Sequence, residues 1–238
     1  MPLEINHTAG RPQHVPQAIN PHYISFTLAA LFVLPLGAWL AALGNPVAYF
    51  QYDLPPGQVL YILSKLLGLY AILLLWVQLM YGLLKNDALL RTVLPQWSLS
   101  THRLLGLSTL LLASLHFAVF FTAASLRKGA VAMQMLLPDF GSGYYSMTVS
   151  LGWIALVGLW IVAVAGIARV QSRRGSRVVH KLAIAVVLLS LAHSLLVGSE
   201  TKTKFWLVIY FFFGVTILGG LFRRKWGQRT IISNHAKI

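Results

Sequence analysis

Residues Thr101–Thr122 read THRLLGLSTLLLASLHFAVFFT, an apolar run with a histidine near its start, His102, and a second histidine fourteen residues later, His116. The run is long enough to cross a hydrocarbon core about 30 Å thick. An ionisable side chain inside a bilayer is costly and is usually buried against a partner that compensates for it. The run therefore predicts a membrane-spanning helix whose two histidines have binding partners.

A second apolar run has the same pattern. Residues Val178–Gly198 read VVHKLAIAVVLLSLAHSLLVG, with His180 and His193 thirteen residues apart. Of the eight histidines in the chain, only these two and the pair in the first run lie in or at the edge of a long hydrophobic segment. A shared role for the four histidines follows from this distribution.

The composition indicates an integral membrane protein. Hydrophobic residues make up 57% of the chain, charged residues only 10%, and the mean hydropathy is +0.71. With most of 238 residues committed to the bilayer, no room remains for a soluble catalytic domain. The chain contains no cysteine, which excludes disulfides, thiolate chemistry and cysteine-ligated iron–sulfur clusters within it.

The hydropathy pattern predicts an all-α bundle of six transmembrane helices over residues 24–222. A flexible cytoplasmic tail, residues 1–23, precedes the bundle, and no removable signal peptide is expected. Residues 223–238 are a basic cytoplasmic tail or the start of a flavin domain that lies beyond this sequence. The predicted spans are about Ile24–Leu43, Val59–Leu84, Thr101–Thr122, Met147–Ala168, Val178–Gly198 and Phe205–Phe222.

The basic residues predict the orientation. The net charge of +14 comes from 19 Lys and Arg, and the connectors on one side of the bundle contain only four of them: Arg127, Lys128, Lys202 and Lys204. Basic residues are enriched on the cytoplasmic side of membrane proteins. Both termini are therefore expected in the cytoplasm, and the charge is explained by topology rather than by a nucleic-acid partner.

With this topology the third and fifth spans run in the same direction, so the histidines align in two levels. His102 and His180 lie near the cytoplasmic face, and His116 and His193 lie deeper, toward the outer leaflet. Fourteen residues of helix rise roughly 21 Å, which places one level near each side of the bilayer. Each level then offers one imidazole from each of two neighbouring helices.

Two flat metal cofactors stacked across the membrane fit this arrangement, and haem suits it because its iron accepts axial imidazoles from both sides. With both axial positions filled, the site favours electron transfer over chemistry at the metal. Arg103, Arg177 and Lys181 lie beside the inner pair in the sequence and are candidates to neutralise haem propionates. Gly106, one turn after His102, is a candidate for close approach of the ring to the backbone.

The thirteen-residue spacing in the fifth span does not fit an ideal helix. At about 100° per residue, His193 would lie roughly 140° around the helix from His180, whereas fourteen residues return to within roughly 40°. Either the span is locally overwound or the two rings enter the bundle from different sides.

These residues resemble the ferric-reductase-like transmembrane domain, the six-helix haem core of ferric reductases, NADPH oxidases and the haem subunit of the periplasmic methionine sulfoxide reductase system. The likeness rests on HRLLG at His102–Gly106, on the Leu115 and His116 pair, and on the segment Arg177–His193. The spacings of 14 and 13 are typical of the two-haem members. The resemblance covers roughly Val59–Phe222.

The resemblance implies that His102 and His180 bind an inner b-type haem and His116 and His193 an outer one. The chain would then be the membrane component of an oxidoreductase, in which electrons pass from a cytoplasmic donor to an extracytoplasmic acceptor. The donor would be a flavoprotein or a fused flavin/NAD(P)H domain carrying FAD or FMN. The acceptor would be a ferric chelate, dioxygen or a periplasmic protein, and the expected location is the bacterial inner membrane.

Two alternatives remain open. The chain could be the haem-binding anchor of a periplasmic methionine sulfoxide reductase, fed by quinol or by flavin, although subunits of that kind often lack a histidine at the position of His102. It could also be a haem-free transporter or channel in which the histidines relay protons.

Overall fold

The computed structural model describes residues 21–45, 47, 53–84, 99–170, 174–198 and 204–235. Regular structure within these ranges is entirely helical, with no strand. The elements, in chain order, are α1 (Pro21–Leu43), α2 (Gln58–Leu84), α3 (Leu99–Lys128), a 3₁₀ turn (Met133–Leu136), α4 (Tyr144–Val170), α5 (Arg174–His180), α6 (Ala183–Val197) and α7 (Lys204–His235).

Five helical segments are long and apolar enough to cross a membrane: Gln58–Leu84, Leu99–Lys128, Tyr144–Ala168, Val178–Val197 and Trp206–Arg223. These correspond to the second to sixth predicted spans, and they confirm the expectation of an all-helical, multi-pass membrane chain. The predicted first span coincides with α1, within which Phe32–Leu43 is a shorter apolar helical stretch. Six spans and two cytoplasmic termini stay predictions.

The predicted tails fall partly outside the described residues. Residues 1–20 and 236–238 lie outside them, so the expected flexible N-terminal tail has no structural description before Pro21. Helix α1 begins at Pro21, three residues before the predicted start, and α7 continues as a helix through His235.

Helix α2 is the centre of the bundle. It packs against α1, α3, α6 and α7, and it contributes more buried residues to the apolar core than any other described helix. Two tryptophans connect it to its neighbours: Trp39 of α1 donates to the carbonyl of Ile62, and Trp76 of α2 donates to Thr216 of α7. Partly buried tryptophan N–H groups inside an apolar bundle need such partners because little water reaches them. The core thus forms around α2.

Helix α3 has two faces of different character. Leucines 104, 107, 111 and 115, at helical spacing, are exposed on the surface of the bundle. Thr109 and Leu110 are buried instead. A large apolar surface on an isolated chain marks a face that lipid or a partner covers, and for a helix of this length that environment is the hydrocarbon core. The histidines of α3 lie on the opposite, inward-facing side.

The third span is longer than its sequence pattern predicts. Helix α3 continues to Lys128 and ends at Gly129, whose φ of +68° is readily adopted only by glycine. The amide of Gly129 bonds the carbonyl of Leu126, and the amide of Ala130 bonds that of Ser125, a Schellman ending. Because this ending is set by Gly129 rather than by hydropathy, the apolar pattern placed the end too early.

The fifth predicted span is interrupted directly after His180. Helix α5 ends there, a turn follows at Lys181 and Leu182, and α6 begins at Ala183. Lys181, Leu182 and Ile184 each bond the carbonyl three residues earlier instead of four. Such bonds wind the backbone at about 120° per residue instead of 100°. The structure therefore contains the local overwinding that was one of the two ways to accommodate the thirteen-residue spacing.

Candidate functional site

The fold brings the four histidines of the apolar runs together in two pairs. The rings of His102 and His180 have centroids 6.2 Å apart, at 84° to each other. The rings of His116 and His193 have centroids 6.4 Å apart, at 66°. In each pair one ring comes from α3 and the other from the α5–α6 segment, as the alignment of the two spans predicts.

In the outer pair each ring is hydrogen-bonded to the backbone of a neighbouring helix, α2 for His116 and α4 for His193. Nδ1 of His116 lies 2.6 Å from the carbonyl oxygen of Ser64 on α2, and Nδ1 of His193 lies 2.8 Å from that of Thr148 on α4. A carbonyl oxygen can only accept, so each Nδ1 must be the donor. In a neutral imidazole the lone pair is then on Nε2.

In the inner pair, His180 also donates Nδ1–H to a backbone carbonyl of a neighbouring helix. Its Nδ1 lies 3.3 Å from the carbonyl oxygen of Val162 on α4, a longer bond than those of the outer pair. Val162 and Thr148, the partner of His193, are fourteen residues apart on α4. Both rings of the α5–α6 segment therefore face one helix, and the overwound turn after His180 makes this possible.

Histidines that bind metal usually donate their second ring nitrogen to a carbonyl or carboxylate, which fixes the tautomer and the ring orientation. Three of the four histidines have this arrangement, through Ser64, Thr148 and Val162. The geometry thus leaves Nε2 of these rings as the free ligand atom. A proton relay through the same rings would have to break these bonds.

Each of these three rings also packs against a glycine of a neighbouring helix. A Cβ added at Gly152 of α4 would come within 2.6 Å of Cε1 of His193, and one at Gly68 of α2 would come within 3.1 Å of the His116 ring. A Cβ at Gly166 of α4 would lie 3.4 Å from His180. The absence of a side chain at these positions is what gives the rings their space.

The ring separations can be compared with those that a shared metal ion requires. Two opposed imidazoles, each bonded through nitrogen at about 2.0–2.1 Å, would have centroids roughly 6.3 Å apart. The observed 6.2 and 6.4 Å agree with this value. Ordinary aromatic pairs also lie about 4.5–7 Å apart, so the separation alone does not identify a metal site. Together with the carbonyl bonds of three rings, the donor set fits two haem irons with two imidazoles each.

A cavity lies between α2, α3, α4 and α6 at the level of the outer pair. It opens partly to the surface, and His116 and His193 both line it. Its walls are mainly aliphatic and aromatic, with Phe117 and Trp153 among them, and Lys65 is the one charged residue among the described residues that line it. An apolar slot with two imidazoles is the environment that a macrocycle with axial histidine ligands occupies.

The inner pair has different surroundings. The ring of Tyr81 lies 5.5 Å from that of His102, and Gln78 extends along α3, with its Nε2 3.5 Å from the carbonyl oxygen of His102. A Cβ at Gly106 would meet that Nε2 at 2.5 Å. The space beside Gly106, expected to admit a cofactor ring, is thus next to the Gln78 amide.

The three basic residues beside the inner pair are placed as follows. Arg103 and Lys181 are exposed. Arg177 lies on α5, three residues before His180, and only its helical backbone is within the described part. No carboxylate lies inside a described span, because the acidic residues in the described ranges are Asp53 and Asp139, both in connectors. Positive charge near the inner pair is therefore not cancelled within the described spans.

Over the described ranges, no group of three or more His, Asp or Glu side chains is placed to hold a metal ion. Each histidine pair has only two such side chains, so the absence of larger groups does not bear on a site held by two histidines.

Some residues of the site could not be identified from the sequence. Gly152 and Gly166 are visible as small residues in the fourth span, and their spacing of fourteen matches that of the two carbonyls of α4, those of Thr148 and Val162, that accept hydrogen bonds from the histidines. Gly68 and Ser64 have no such signal, because a single glycine or serine in an apolar run is common. Gln78 is the one amide in the apolar part of α2 and could have been singled out for that reason.

No protein-family model matches the chain, and comparison with curated proteins and with solved structures gave no match. The likeness to the ferric-reductase-like domain therefore depends on the residues and their geometry alone.

Proposed function

We propose that the chain is a two-haem b-type membrane cytochrome that transfers electrons from a cytoplasmic flavin donor to an extracytoplasmic acceptor. The observation that carries the proposal is the formation of two histidine pairs, at 6.2 and 6.4 Å, between the same two segments. One pair could arise from ordinary packing. Two pairs with the same helix partners and with carbonyl-bonded rings are most simply explained as two ligand sites of one kind.

The roles of the residues follow from the geometry. His102 and His180 would hold the inner haem and His116 and His193 the outer one, each through Nε2. Haem, when bound, supplies a one-electron carrier. The protein orients the ligands through the carbonyls of Ser64, Thr148 and Val162, and the apolar cavity around the outer pair excludes water.

Two features limit the chemistry to electron transfer. With two histidines on each iron, no position is left for oxygen or substrate at the metal. The levels lie fourteen residues apart on α3, roughly 21 Å along the helix, so two carriers cover most of the hydrocarbon core where one would not. The proposed topology has six spans and both termini in the cytoplasm of a bacterial cell, with the donor flavin on a partner protein or on a domain that follows Ile238.

The first test is haem content. Protein purified from a haem-sufficient host, or reconstituted with haem, should contain about two b-type haems per chain by pyridine haemochrome assay. Reduction with dithionite should shift the Soret band. A haem content near zero after reconstitution would overturn the proposal and favour a haem-free transporter.

The second test uses the histidines singly. His116→Ala and His193→Ala should each reduce the content to about one haem and abolish reduction of an external ferric chelate, because the outer carrier is lost. His102→Ala and His180→Ala should remove the other haem. His235→Ala, at a histidine outside the apolar runs, is the matched control and should keep two haems. Unchanged spectra in His116→Ala and His193→Ala would contradict the assignment.

A further inference from the structure

A second cavity adjoins the first at the end of the bundle that the topology places outside the cell. It lies between the start of α2, the end of α3, the 3₁₀ turn and the start of α4. Its polar lining comes from Tyr61, Arg127, Lys128, Gln134 and Tyr145, and none of the described residues that line it is acidic. We call this cavity the outer vestibule.

The two cations of the vestibule are held in place by neutral groups. The guanidinium of Arg127 donates to Oε1 of Gln58, and Nζ of Lys128 donates to Oε1 of Gln134 at 3.0 Å. Amide oxygens orient a cation without cancelling its charge, unlike a carboxylate. Both basic side chains are exposed, so an anion in solution can reach them.

The vestibule is connected to the cavity of the outer histidine pair through two aromatic side chains. Tyr61 and Phe120 line both cavities, and their ring centroids are 6.3 Å apart. The Tyr61 ring has a cation in each cavity: Nζ of Lys65 is 4.8 Å from its centroid, and Cζ of Arg127 is 5.5 Å away. A ligand in the vestibule would thus be separated from the outer histidine site by one aromatic pair.

We propose that the outer vestibule binds a small anion with several carboxylate or phosphate oxygens, and that this anion is the ligand shell of the electron acceptor. Two adjacent cations, with no carboxylate among the described residues of the vestibule and with flanking hydroxyl and amide groups, match such a ligand, because charged hydrogen bonds are strongest to anionic oxygens. The acceptor role rests on the proposed function. A carboxylate chelate of ferric iron meets both requirements: its ferric ion would gain the one electron that a haem held by His116 and His193 would supply, and no proton is needed.

A lipid phosphate offers the same oxygen chemistry from a different source. We assign the site to a soluble anion because both cations are exposed beyond the apolar part of α3 and because the 3₁₀ turn, rather than open membrane surface, forms one wall. The experiment therefore also tests whether an anionic lipid occupies the site.

The test uses the full chain with haem bound, in nanodiscs of zwitterionic lipid, and gallium(III) citrate as a redox-inert probe. Wild type should bind the probe, with affinity that falls as salt rises. The double variant Arg127→Gln/Lys128→Gln should bind it at least tenfold more weakly. The matched control Lys202→Gln/Lys204→Gln removes the same charge from the same predicted side and should bind within about twofold of wild type. Haem content should be equal in all three proteins.

Kinetics with ferric citrate give an independent readout. The vestibule variant should have a raised KM with kcat retained, because binding is weakened while the electron path is kept. Equal probe affinity in wild type and the vestibule variant would overturn the proposal. So would an absence of probe binding in zwitterionic discs combined with protection of Lys128 from amine-reactive labelling by phosphatidylglycerol, which would assign the site to lipid.

The two proposals can fail separately. Wild type that carries two haems and binds no gallium citrate would overturn the vestibule assignment alone. Wild type that binds gallium citrate through Arg127 and Lys128 and carries no haem would overturn the electron-transfer function and keep the anion site.

Discussion

His193 in the outer pair and His180 in the inner pair belong to the same predicted span, and each donates Nδ1–H to a carbonyl of α4, but their packing differs. The His193 bond is 2.8 Å long and the His180 bond 3.3 Å. A Cβ at the facing glycine would lie 2.6 Å from His193 and 3.4 Å from His180. The outer ring is therefore held in a closely fitted position, whereas the inner ring has space to adjust.

The surroundings of the two pairs differ in the same way, with closer packing at the outer pair. His116 in the outer pair has a 2.6 Å bond to Ser64 and packs against Gly68. The inner pair lies beside the overwound turn at Lys181 and Leu182, where the backbone bonds are of the 3₁₀ type and weaker. Preorganised ligands bind metal more tightly than ligands that must be ordered. We therefore expect the outer site to be the more rigid and the less tolerant of substitution.

The largest effect is expected for Gly152→Ala compared with Gly166→Ala. The new methyl of Gly152→Ala overlaps the His193 ring and must displace it, whereas the methyl of Gly166→Ala meets His180 at ordinary contact distance. Gly152→Ala should weaken retention of the outer haem by about 10- to 100-fold, the range for a disturbed ligand support. Gly166→Ala should retain both haems. The measurement is haem loss to apomyoglobin, followed separately for each haem by its spectrum.

Gly214→Ala on α7, where an added Cβ has no neighbour within 4 Å, is the control for an alanine in an apolar helix. Equal haem loss from Gly152→Ala and Gly166→Ala would show that the outer and inner sites are equally tolerant of substitution, contrary to the difference in their packing.

A smaller effect is expected at the inner pair from Gly106→Ala. Its methyl meets only the flexible end of Gln78, which can turn away, so the inner haem should be lost less than about tenfold faster than in wild type. The double variant Gly106→Ala/Gln78→Ala removes the overlap and should return to the rate of Gln78→Ala alone. A large loss of the inner haem that persists in the double variant would instead show that a cofactor ring, and not Gln78, occupies the space beside Gly106.

The smallest effect concerns pH and the connector that leads into α4. The side-chain hydroxyl of Ser142 and, to a smaller extent, the backbone amides of Gly141 and Ser142 donate hydrogen bonds to the carboxylate of Asp139, and these bonds lower the pKa of Asp139 below its usual 3.8. A lowered folded-state pKa gives stability that is present above the usual pKa and lost as pH falls through the folded value. Asp139→Asn should therefore lower the Tm slightly at pH 7, with no further difference down to pH 5.

Below pH 3.8 the Tm difference between wild type and Asp139→Asn should shrink, since wild type also loses the charge. Because the backbone of Asp139 is bonded to Ser150 of α4, near Thr148 and Gly152, any loss of haem in the variant should begin at the outer site. A Tm difference that grows as the pH falls would contradict this account of the connector.

The sequence predicted the parts of the fold that depend on hydropathy. Apolar runs long enough to span a bilayer correspond to five described helices, since transfer of such a run into lipid is favourable whatever its neighbours are. Helix ends were predicted less well. The end of α3 depends on Gly129 and its Schellman bonds, and the start of α4 at Tyr144 precedes the predicted Met147, because these boundaries depend on local backbone geometry.

The candidate site was predicted to the level of which histidines pair. Depth along parallel helices follows from residue count, so the partners of His102 and His116 could be assigned from the sequence. Which way each ring turns could not. Ring orientation depends on carbonyls of α2 and α4, and those helices are brought to the histidines only by tertiary packing.

The sequence by itself thus determined the membrane class, the spacing of the four histidines along their helices and the absence of cysteine, because composition and spacing along a helix are properties of the chain alone. Only the tertiary structure decided the overwound turn after His180, the glycines that give the rings their space, and the vestibule between Tyr61, Arg127 and Lys128. The glycine contacts and the vestibule depend on packing between helices distant in sequence, which no single segment encodes, and the overwound turn is one of two conformations that the thirteen-residue spacing left open.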